Sequence, residues 1–331
     1  MSITLSESPN WQEVLHSKAA LIHQQIAIIQ RWVEDAGGDN AILQQLSQPY
    51  YKLLESLYEE DFPIAQAIES SDLLIHVKGP AVDQLTPRLS LIAGIFTSVR
   101  KQVGSVAYAI AGVMNKTALP KDIDLGLAGF AKGSLYLGFS LPTPNAEDEK
   151  GNRNLLGEQD PLYKATREAI KTIGIVTRNL ESESDDLSDY IPDPKVRDTA
   201  LTAVQHIAPT NQQGVDSITV SGKEIGAREV GVLTPETRRR IRNMIAHPVK
   251  SEEIGSFEGI VREIDLDLRR FELRRIEEAE IEDIRCAYDE EYAIRAKGFL
   301  DNKLKVTGRI ERSTDGRPRL VEAQFIEMPK S

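Results

Sequence analysis

Apolar residues recur at helical intervals through the first third of the chain. Between residues 10 and 35 the intervals are mainly three, four and seven, which places these residues on one face of a long helix. Gly37-Gly38 ends that helix, and residues 40–57 repeat the helical spacing. The run Leu73–Val77 has the length and apolar character of a strand, and another long helix follows it. The pattern therefore predicts an antiparallel helical pair, then a strand and a long helix.

A two-residue alternation of apolar and polar positions marks the next part of the chain. Residues 123–130 and 135–141 alternate in this way, and Lys132-Gly133 between them is a suitable turn. The sequence predicts a hairpin whose small antiparallel sheet packs against the long helix. Residues 142–160 are rich in Pro, Asn, Gly and acidic side chains with little periodicity, which predicts an exposed loop.

Helical spacing returns in the middle of the chain, over residues 169–180 and 196–207. Two short strand candidates, 218–220 and 229–233, come next. Thr234-Pro235-Glu236 then begins a helix, because proline is tolerated in a first turn where its missing N–H costs nothing. We expect a mainly helical middle region.

The last third of the chain has the clearest order of elements. Alternation predicts strands over 257–264, 271–276, 281–287, 304–310 and 320–326, with a helix over 290–300. Three strands, a helix and two strands is the element order of an OB barrel, and this part of the chain resembles that fold. A small SH3-like barrel is the alternative.

Length and composition agree with a folded protein of several domains. The 331 residues suit two or three domains, and 40% hydrophobic with 27% charged residues is typical of globular proteins. The predicted fold class is α+β. Its domains are a helical domain with a small antiparallel sheet over 1–141, an acidic loop and mainly helical middle region over 142–254, and a small β-barrel over 255–331.

Charge and cysteine content narrow the function classes. Lys and Arg total 40 against 51 Asp and Glu, a net charge of -11, so the whole molecule is not a general binder of polyanions. The single cysteine, Cys286, excludes an internal disulfide and a thiolate metal cluster, and favours a reducing compartment. The start of the chain has no basic leader, and its most apolar window, 89–114, is interrupted by glycines and charges. We therefore expect a cytoplasmic protein without a membrane span.

The segment 242–247, on the helix predicted after Thr234, carries the sharpest chemical pattern. Its Arg242, Asn243 and His247 resemble the Arg-x4–6-His motif of the HEPN superfamily of RNA-cleaving and RNA-binding domains. The resemblance implies a composite site between two copies, in which His247 and Arg242 act on the scissile phosphate as proton-transfer group and charge stabiliser. Residues five apart lie about 140° apart on an ideal helix, so a helix without a catalytic role is the alternative interpretation.

Basic residues gather on the same predicted helix and on the barrel strands that follow it. A local basic stripe beside an OB surface is a candidate for contacts with nucleic-acid phosphates. Its residues are Arg238, Arg239, Arg240, Lys250, Arg269, Arg270, Arg274 and Arg275. Acidic residues interleave with these arginines, so ion pairs across strands are the alternative use of the same charges.

Aromatic side chains are the other requirement of a single-strand site on an OB barrel, because bases stack on exposed rings. Phe257, Phe271 and Phe325 fall at strand positions that predict a place in the core. Tyr288 and Tyr292 are then the rings left for stacking.

The sequence contains no complete catalytic or cofactor motif. We expect a non-enzymatic binding or regulatory subunit that needs no cofactor and no metal. A protein partner or a second copy of the chain is the expected partner, and nucleic acid is the other candidate. The layout resembles that of bacterial proteins of defence and mobile-element systems. The alternative function is a HEPN-type endoribonuclease that uses Arg242 and His247.

Overall fold

The computed structural model describes nine stretches of the chain. They are residues 11–82, 87–113, 123–131, 135–141, 160–180, 186–226, 231–276, 281–313 and 315–328. The predicted Lys132-Gly133 turn lies outside these stretches, as do residues 142–159 of the predicted acidic loop and the first two residues of the strand candidate 229–233.

The first described residues form a helical hairpin, as predicted. Its helices are α1 (Trp11–Asp35) and α2 (Asn40–Ser56), and a π-helical turn over Leu57–Asp61 leads into α3 (Phe62–Ser70). Gly37 adopts a positive φ of 66° in the turn, and the Asp39 side chain accepts a hydrogen bond from the Ile42 backbone N–H at 3.0 Å. This cap satisfies a donor that the first turn of a helix leaves without a partner.

A five-stranded antiparallel sheet forms the centre of the helix-and-sheet part. Its strands are β1 (Leu73–Lys78), β2 (Gly126–Ala131), β3 (Leu135–Ser140), β4 (Ser217–Ser221) and β5 (Gly231–Leu233), in the spatial order β2-β3-β1-β4-β5. β2 and β3 correspond to the predicted hairpin. β1 pairs with β3 on one side and β4 on the other, so Ile75 lies opposite both Leu137 and Val220. The sheet thereby joins strands from both sides of residue 141.

Helices pack on this sheet and complete its core. They are α4 (Leu89–Val113), α5 (Pro161–Asn179), α6 (Leu187–Tyr190), α7 (Pro194–Ile207) and α8 (Pro235–Ala246). α4, α5 and α7 pack on one another and share a hydrophobic cluster with alternate sheet residues such as Leu73 and Ile75. α8 begins at Pro235, as predicted, with a reciprocal capping pair between Thr234 and Thr237. None of the described helices is long and apolar enough to cross a membrane.

The C-terminal part is a closed five-stranded barrel, in agreement with the predicted order of elements. Its strands are β6 (Ile254–Asp265), β7 (Arg270–Arg274), β8 (Asp283–Ala287), β9 (Lys303–Arg312) and β10 (Pro318–Glu327). The ladder runs β10-β8-β7-β6-β9 and closes between β9 and β10, and the β8–β10 pair is parallel. β6 pairs with both β7 and β9, and a register shift between Val261 and Glu263 bends it around the barrel.

The helix predicted over 290–300 is shorter in the structure. A 3-10 turn over Glu290–Tyr292 leads into a single helical turn, α9 (Ala293–Ala296). The chain then turns so that Phe299 is buried in the barrel core, where its ring packs edge-on against Phe271. Burial of such a ring stabilises the fold by about 2 kcal/mol, which favours ending the helix here.

Candidate functional site

Asp198 lies where α7 meets the barrel. Its carboxylate accepts two hydrogen bonds from Arg270 on β7, from Nε at 3.0 Å and from Nη2 at 3.1 Å, and a third from Nε of Arg285 on β8 at 2.8 Å. Only 2% of Asp198, 2% of Arg270 and 10% of Arg285 is exposed. This contact between α7 and the barrel is termed the seam.

The start of α7 positions the residues of the seam. The Asp193 side chain caps this helix by accepting hydrogen bonds from the Lys195 and Val196 backbone N–H groups, at 2.9 and 3.0 Å. The cap sets the helical turn from which Lys195, Arg197 and Asp198 reach the barrel. Local sequence therefore places three charged side chains on one short stretch of helix.

Opposite charges and hydrogen bonds compensate the buried charges of Asp198 and Arg270. Burial raises the pKa of Asp198, but the charges and hydrogen bonds of Arg270 and Arg285 outweigh it and hold the pKa below its usual value of 3.8. Arg270 also donates to backbone oxygens, from Nη2 to Ile245 at 2.6 Å and from Nη1 to Leu268 at 3.1 Å. A buried ion pair is tolerated when such additional hydrogen bonds satisfy its donors.

Two further ion pairs connect α7 with the barrel. Arg197 donates to both carboxylate oxygens of Glu311 on β9, at 2.6 and 2.7 Å, and both side chains are largely buried. Here burial outweighs the attraction of Arg197, so the pKa of Glu311 is raised above its usual value of 4.5. Lys195 pairs with Glu263 on β6 at 2.7 Å and stays partly exposed. Through these pairs and Asp198, α7 bonds to four of the five barrel strands.

A groove of about 950 Å³ opens along the seam. Tyr108 on α4 and the start of α7 line one side, and β7, β8 and β10 line the other. The charged side chains of its lining are Asp193, Lys195, Glu272, Arg274, Asp283, Arg285 and Arg319. Acidic and basic groups therefore face the same space, which is termed the seam groove.

Opposite charges alternate on the barrel side of the seam groove. Glu272 lies opposite Arg285 across the β7–β8 ladder, and Arg274 lies opposite Asp283. Glu272 also accepts a hydrogen bond from Nε of Arg274 at 2.5 Å. Burial and the charge of Glu272 raise the pKa of Asp283, against the attraction of Arg274. Charges that balance in this way create no strong potential of one sign.

The basic residues singled out on the predicted helix serve different structural purposes. Arg238 and Arg240 on α8 donate to backbone oxygens at the C-terminal ends of α7 and α5, at 3.1 and 2.7 Å. Arg239 is exposed on the same helix, and Lys250 is exposed beyond its end. These four residues therefore do not present one row of cationic groups to solvent.

The basic residues of the barrel are dispersed as well. Arg270 is buried at the seam, so its guanidinium does not reach the surface. Arg274 lines the seam groove beside an acidic partner, and Arg269 lies 3.7 Å from Glu290. Arg275 is exposed at the end of β7 and has a positive φ of 53°. The structure therefore places Arg270 at the seam and Arg274 in the seam groove, and leaves Arg275 on the outer surface.

Most aromatic rings of the barrel lie in its hydrophobic core. Phe257 and Phe271 are buried, as predicted, and Tyr288 is buried with them, whereas Tyr292 is partly exposed. The prediction of a core position for Phe325 is wrong, because 63% of this residue is exposed. A register shift immediately before it in the β9–β10 ladder reverses the alternation, so that the following residue is buried instead.

Arg242 and His247 are both exposed near the end of α8. The helix ends at Ala246, and His247 is the cap residue beyond it, whose backbone N–H donates to the Asn243 oxygen at 2.8 Å. Nδ1 of His247 lies 3.2 Å from a carboxylate oxygen of Glu322 on β10. The barrel therefore orients His247, whereas the helix orients Arg242.

Sequence reasoning does not single out Asp198, Arg197 or Glu311. One signal for them exists, since Arg197 and Asp198 fall on the helical face that carries the apolar residue Leu201. Charged residues at such positions are expected to be paired when buried. Their partners lie 72 to 114 residues away, which local spacing does not reveal.

Comparison with known proteins assigns no family. No protein-family model matches the chain, and no curated protein matches it significantly in sequence. Among the residues that the structure describes, no three His, Cys, Asp or Glu side chains are grouped to hold a metal ion. Cys286 is fully buried, and burial raises the pKa of its thiol. The function is therefore inferred from the geometry of the seam and its groove.

Proposed function

We propose that this protein is a non-enzymatic binding subunit with a protein partner. A segment of that partner, carrying both positive and negative side chains, lies in the seam groove. The observation that supports this most directly is the outer face of β7 and β8, where Glu272 and Asp283 stand beside Arg274 and Arg285. A segment of mixed charge can form an ion pair with each sign of charge on this face.

The same two strands form the face that OB barrels use for oligonucleotides. Such sites combine a cationic groove with exposed aromatic rings on which bases stack. In this barrel Glu272 and Asp283 repel phosphates, and the rings of Phe271 and Tyr288 belong to the core. A protein segment therefore suits this face better than a single-stranded nucleic acid does.

The walls of the seam groove are held together before any partner arrives. Lys195 bonds to Glu263 across the seam, and Arg285, which lines the groove, bonds to Asp198. A groove with fixed walls loses little conformational entropy when a ligand enters it. This arrangement supports a binding role for the seam.

Photo-crosslinking in cells that make the full chain tests the proposal. A photoreactive phenylalanine analogue replaces Tyr108 on the α4 side of the groove. The matched control carries the analogue at Ile294, which is 88% exposed on α9 and does not line the groove. We expect one defined protein to be crosslinked from position 108 and not from 294. Asp283→Lys reverses one charge of the groove and should reduce that crosslink.

Nucleic-acid binding would give a different set of results. Labelled single-stranded DNA and RNA should show no saturable binding at about 50 mM salt, where phosphate contacts are strongest. Saturable binding that weakens with salt, and that is lost when Arg239→Ala and Arg275→Ala are combined, would overturn the proposal of a protein partner. Equal crosslinking from positions 108 and 294 would also contradict the proposal.

Endoribonuclease action at Arg242 and His247 is the second candidate function. The observation that favours it is the exposure of both side chains, which an RNA phosphate could reach. The cap position of His247 and its contact with Glu322 favour the non-enzymatic function instead, because the histidine belongs to the barrel contact.

A further inference from the structure

The N-terminal hairpin carries large apolar side chains that face away from its own core. Between 38% and 62% of the surface of each of these residues is exposed. They are Trp11, Val14, Leu21, Ile28 and Trp32 on α1, with Ile42, Leu46 and Leu53 on α2. These eight residues are termed the hairpin stripe. Both tryptophans of the chain belong to it.

The two helices present the hairpin stripe on the same side of the hairpin. On α1, Leu21 directly precedes Ile22, and on α2, Leu53 directly precedes Leu54, where Ile22 and Leu54 belong to the cluster between the helices. One residue corresponds to about 100° of rotation around a helix. Antiparallel helices rotate in opposite senses when viewed from one end, so both sets of stripe residues point to one side. The result is an apolar face two helices wide.

We propose that the hairpin stripe is the interface of a homodimer, in which two hairpins pack face to face as a four-helix bundle. The exposed shares of its side chains add up to about 800 Å² per copy when each is weighted by residue size. Complete coverage of this surface in both copies would bury about 1,600 Å², the size of a standard stable interface. An apolar patch of this extent marks an interaction surface rather than a surface that stays in water.

The order of residues along α1 selects an antiparallel pairing of the two copies. The stripe is nearly symmetric about Leu21, since Trp11 and Trp32 form its ends and Val14 and Ile28 each lie seven residues from the centre. A two-fold axis at Leu21 therefore brings Trp11 of one copy against Trp32 of the other. Such self-complementarity is the requirement for a closed two-fold interface.

Two polar residues on α1 support the same orientation. Lys18 and Gln25 fall between the apolar residues at heptad spacing, and both are exposed. The antiparallel arrangement places the Lys18 ammonium of one copy next to the Gln25 amide oxygen of the other, to which it can donate a hydrogen bond. A parallel arrangement would place two Lys18 ammonium groups side by side, which like-charge repulsion disfavours.

Mass measurement and tryptophan fluorescence of the full chain test the dimer. Light scattering should give twice the chain mass, and dilution should shift the emission of Trp11 and Trp32 to longer wavelength as water reaches them. Leu21→Glu places two carboxylates at the two-fold axis and should weaken dimerisation roughly 100-fold. Ile294→Glu makes the same type of change at an exposed site on α9 and should leave the dimer intact.

Cysteine crosslinking tests the orientation. Val14→Cys and Ile28→Cys variants should form a disulfide-linked dimer when they are mixed, and neither should do so alone. A chain that is monomeric at all concentrations would overturn the proposal, and so would crosslinking of Val14→Cys with itself. A circular-dichroism spectrum of Leu21→Glu that matches the parent shows that the hairpin still folds. If Leu21→Glu unfolds, the mass of the parent chain and the crosslinking of Val14→Cys with Ile28→Cys decide whether the dimer forms.

Discussion

Asp198 on α7 and Arg270 on β7 form a bidentate ion pair, with N–O distances of 3.0 and 3.1 Å, although 72 residues separate them in the sequence. The barrel and the helix-and-sheet part have separate hydrophobic clusters. Directional hydrogen bonds at the seam therefore contribute strongly to where the barrel sits. The same pair neutralises Arg270, which the sequence alone suggests as a phosphate-binding residue.

Asp198→Asn should lower the free energy of unfolding by about 3–5 kcal/mol, because it leaves the buried guanidinium of Arg270 without a counter-charge. Denaturant unfolding followed by circular dichroism measures the change. Lys195→Met is the matched control, since it breaks the half-exposed pair with Glu263 and should cost less than about 1 kcal/mol. Equal losses of unfolding free energy in the two variants would show that the buried ion pair contributes no more to stability than the half-exposed one.

The acid limb of the stability profile should depend on Asp198. Its pKa in the folded chain lies below the usual value of 3.8, so its contribution is complete above that pH and is lost as the pH falls through the folded-state value. Denaturation midpoints measured downward from neutral pH should therefore fall less steeply below pH 3.8 for Asp198→Asn than for the parent. Parallel curves in this range would contradict the role of Asp198.

Glu311 should contribute a pH dependence of opposite sign. Its pKa in the folded chain lies above the usual value of 4.5, so its contribution is complete below that pH and is lost as the pH rises through the folded-state value. Glu311→Gln should remove this component from the same series of midpoints. If the denaturation midpoint rises more steeply above pH 4.5 for the parent than for Glu311→Gln, the attraction of Arg197 outweighs the effect of burial on the pKa of Glu311.

Residues 252–331 should fold without the rest of the chain. The five strands close on themselves around a separate hydrophobic cluster, and Arg270, once freed from Asp198, would be solvated rather than buried. We expect a purified fragment to be soluble with dispersed amide resonances in a heteronuclear NMR spectrum. An aggregating fragment with collapsed resonances would show that the barrel needs the seam to fold.

The purified 331-residue chain should leave structured and unstructured RNAs intact. His247 lies beyond the end of α8 and contacts Glu322, so the geometry does not pair it with Arg242 on one helical face. Gel analysis of labelled RNA should give the same pattern for the parent, Arg242→Ala and His247→Ala. Cleavage by the parent that disappears in both variants, while their folding is unchanged, would establish the endoribonuclease.

The hydrophobic pattern of the sequence determined most of the local structure. Helical spacing predicts the hairpin of α1 and α2, and alternation predicts all five barrel strands in their order. These predictions succeed because a regular spacing shows which residues share one face of an element, and that spacing depends on the type of element alone. Phe325 is the instructive exception, since a register shift in the ladder reverses its alternation.

Only the tertiary structure decided which elements and charges meet. β1 pairs with β4 across the chain segment that holds β2 and β3, and Arg197 meets Glu311 across 114 residues. The sequence shows that Arg270 is basic, but only the fold shows that it is buried against Asp198 rather than exposed to a phosphate. The physical reason is that periodicity encodes the burial of a face, whereas the partner of a charge depends on long-range packing.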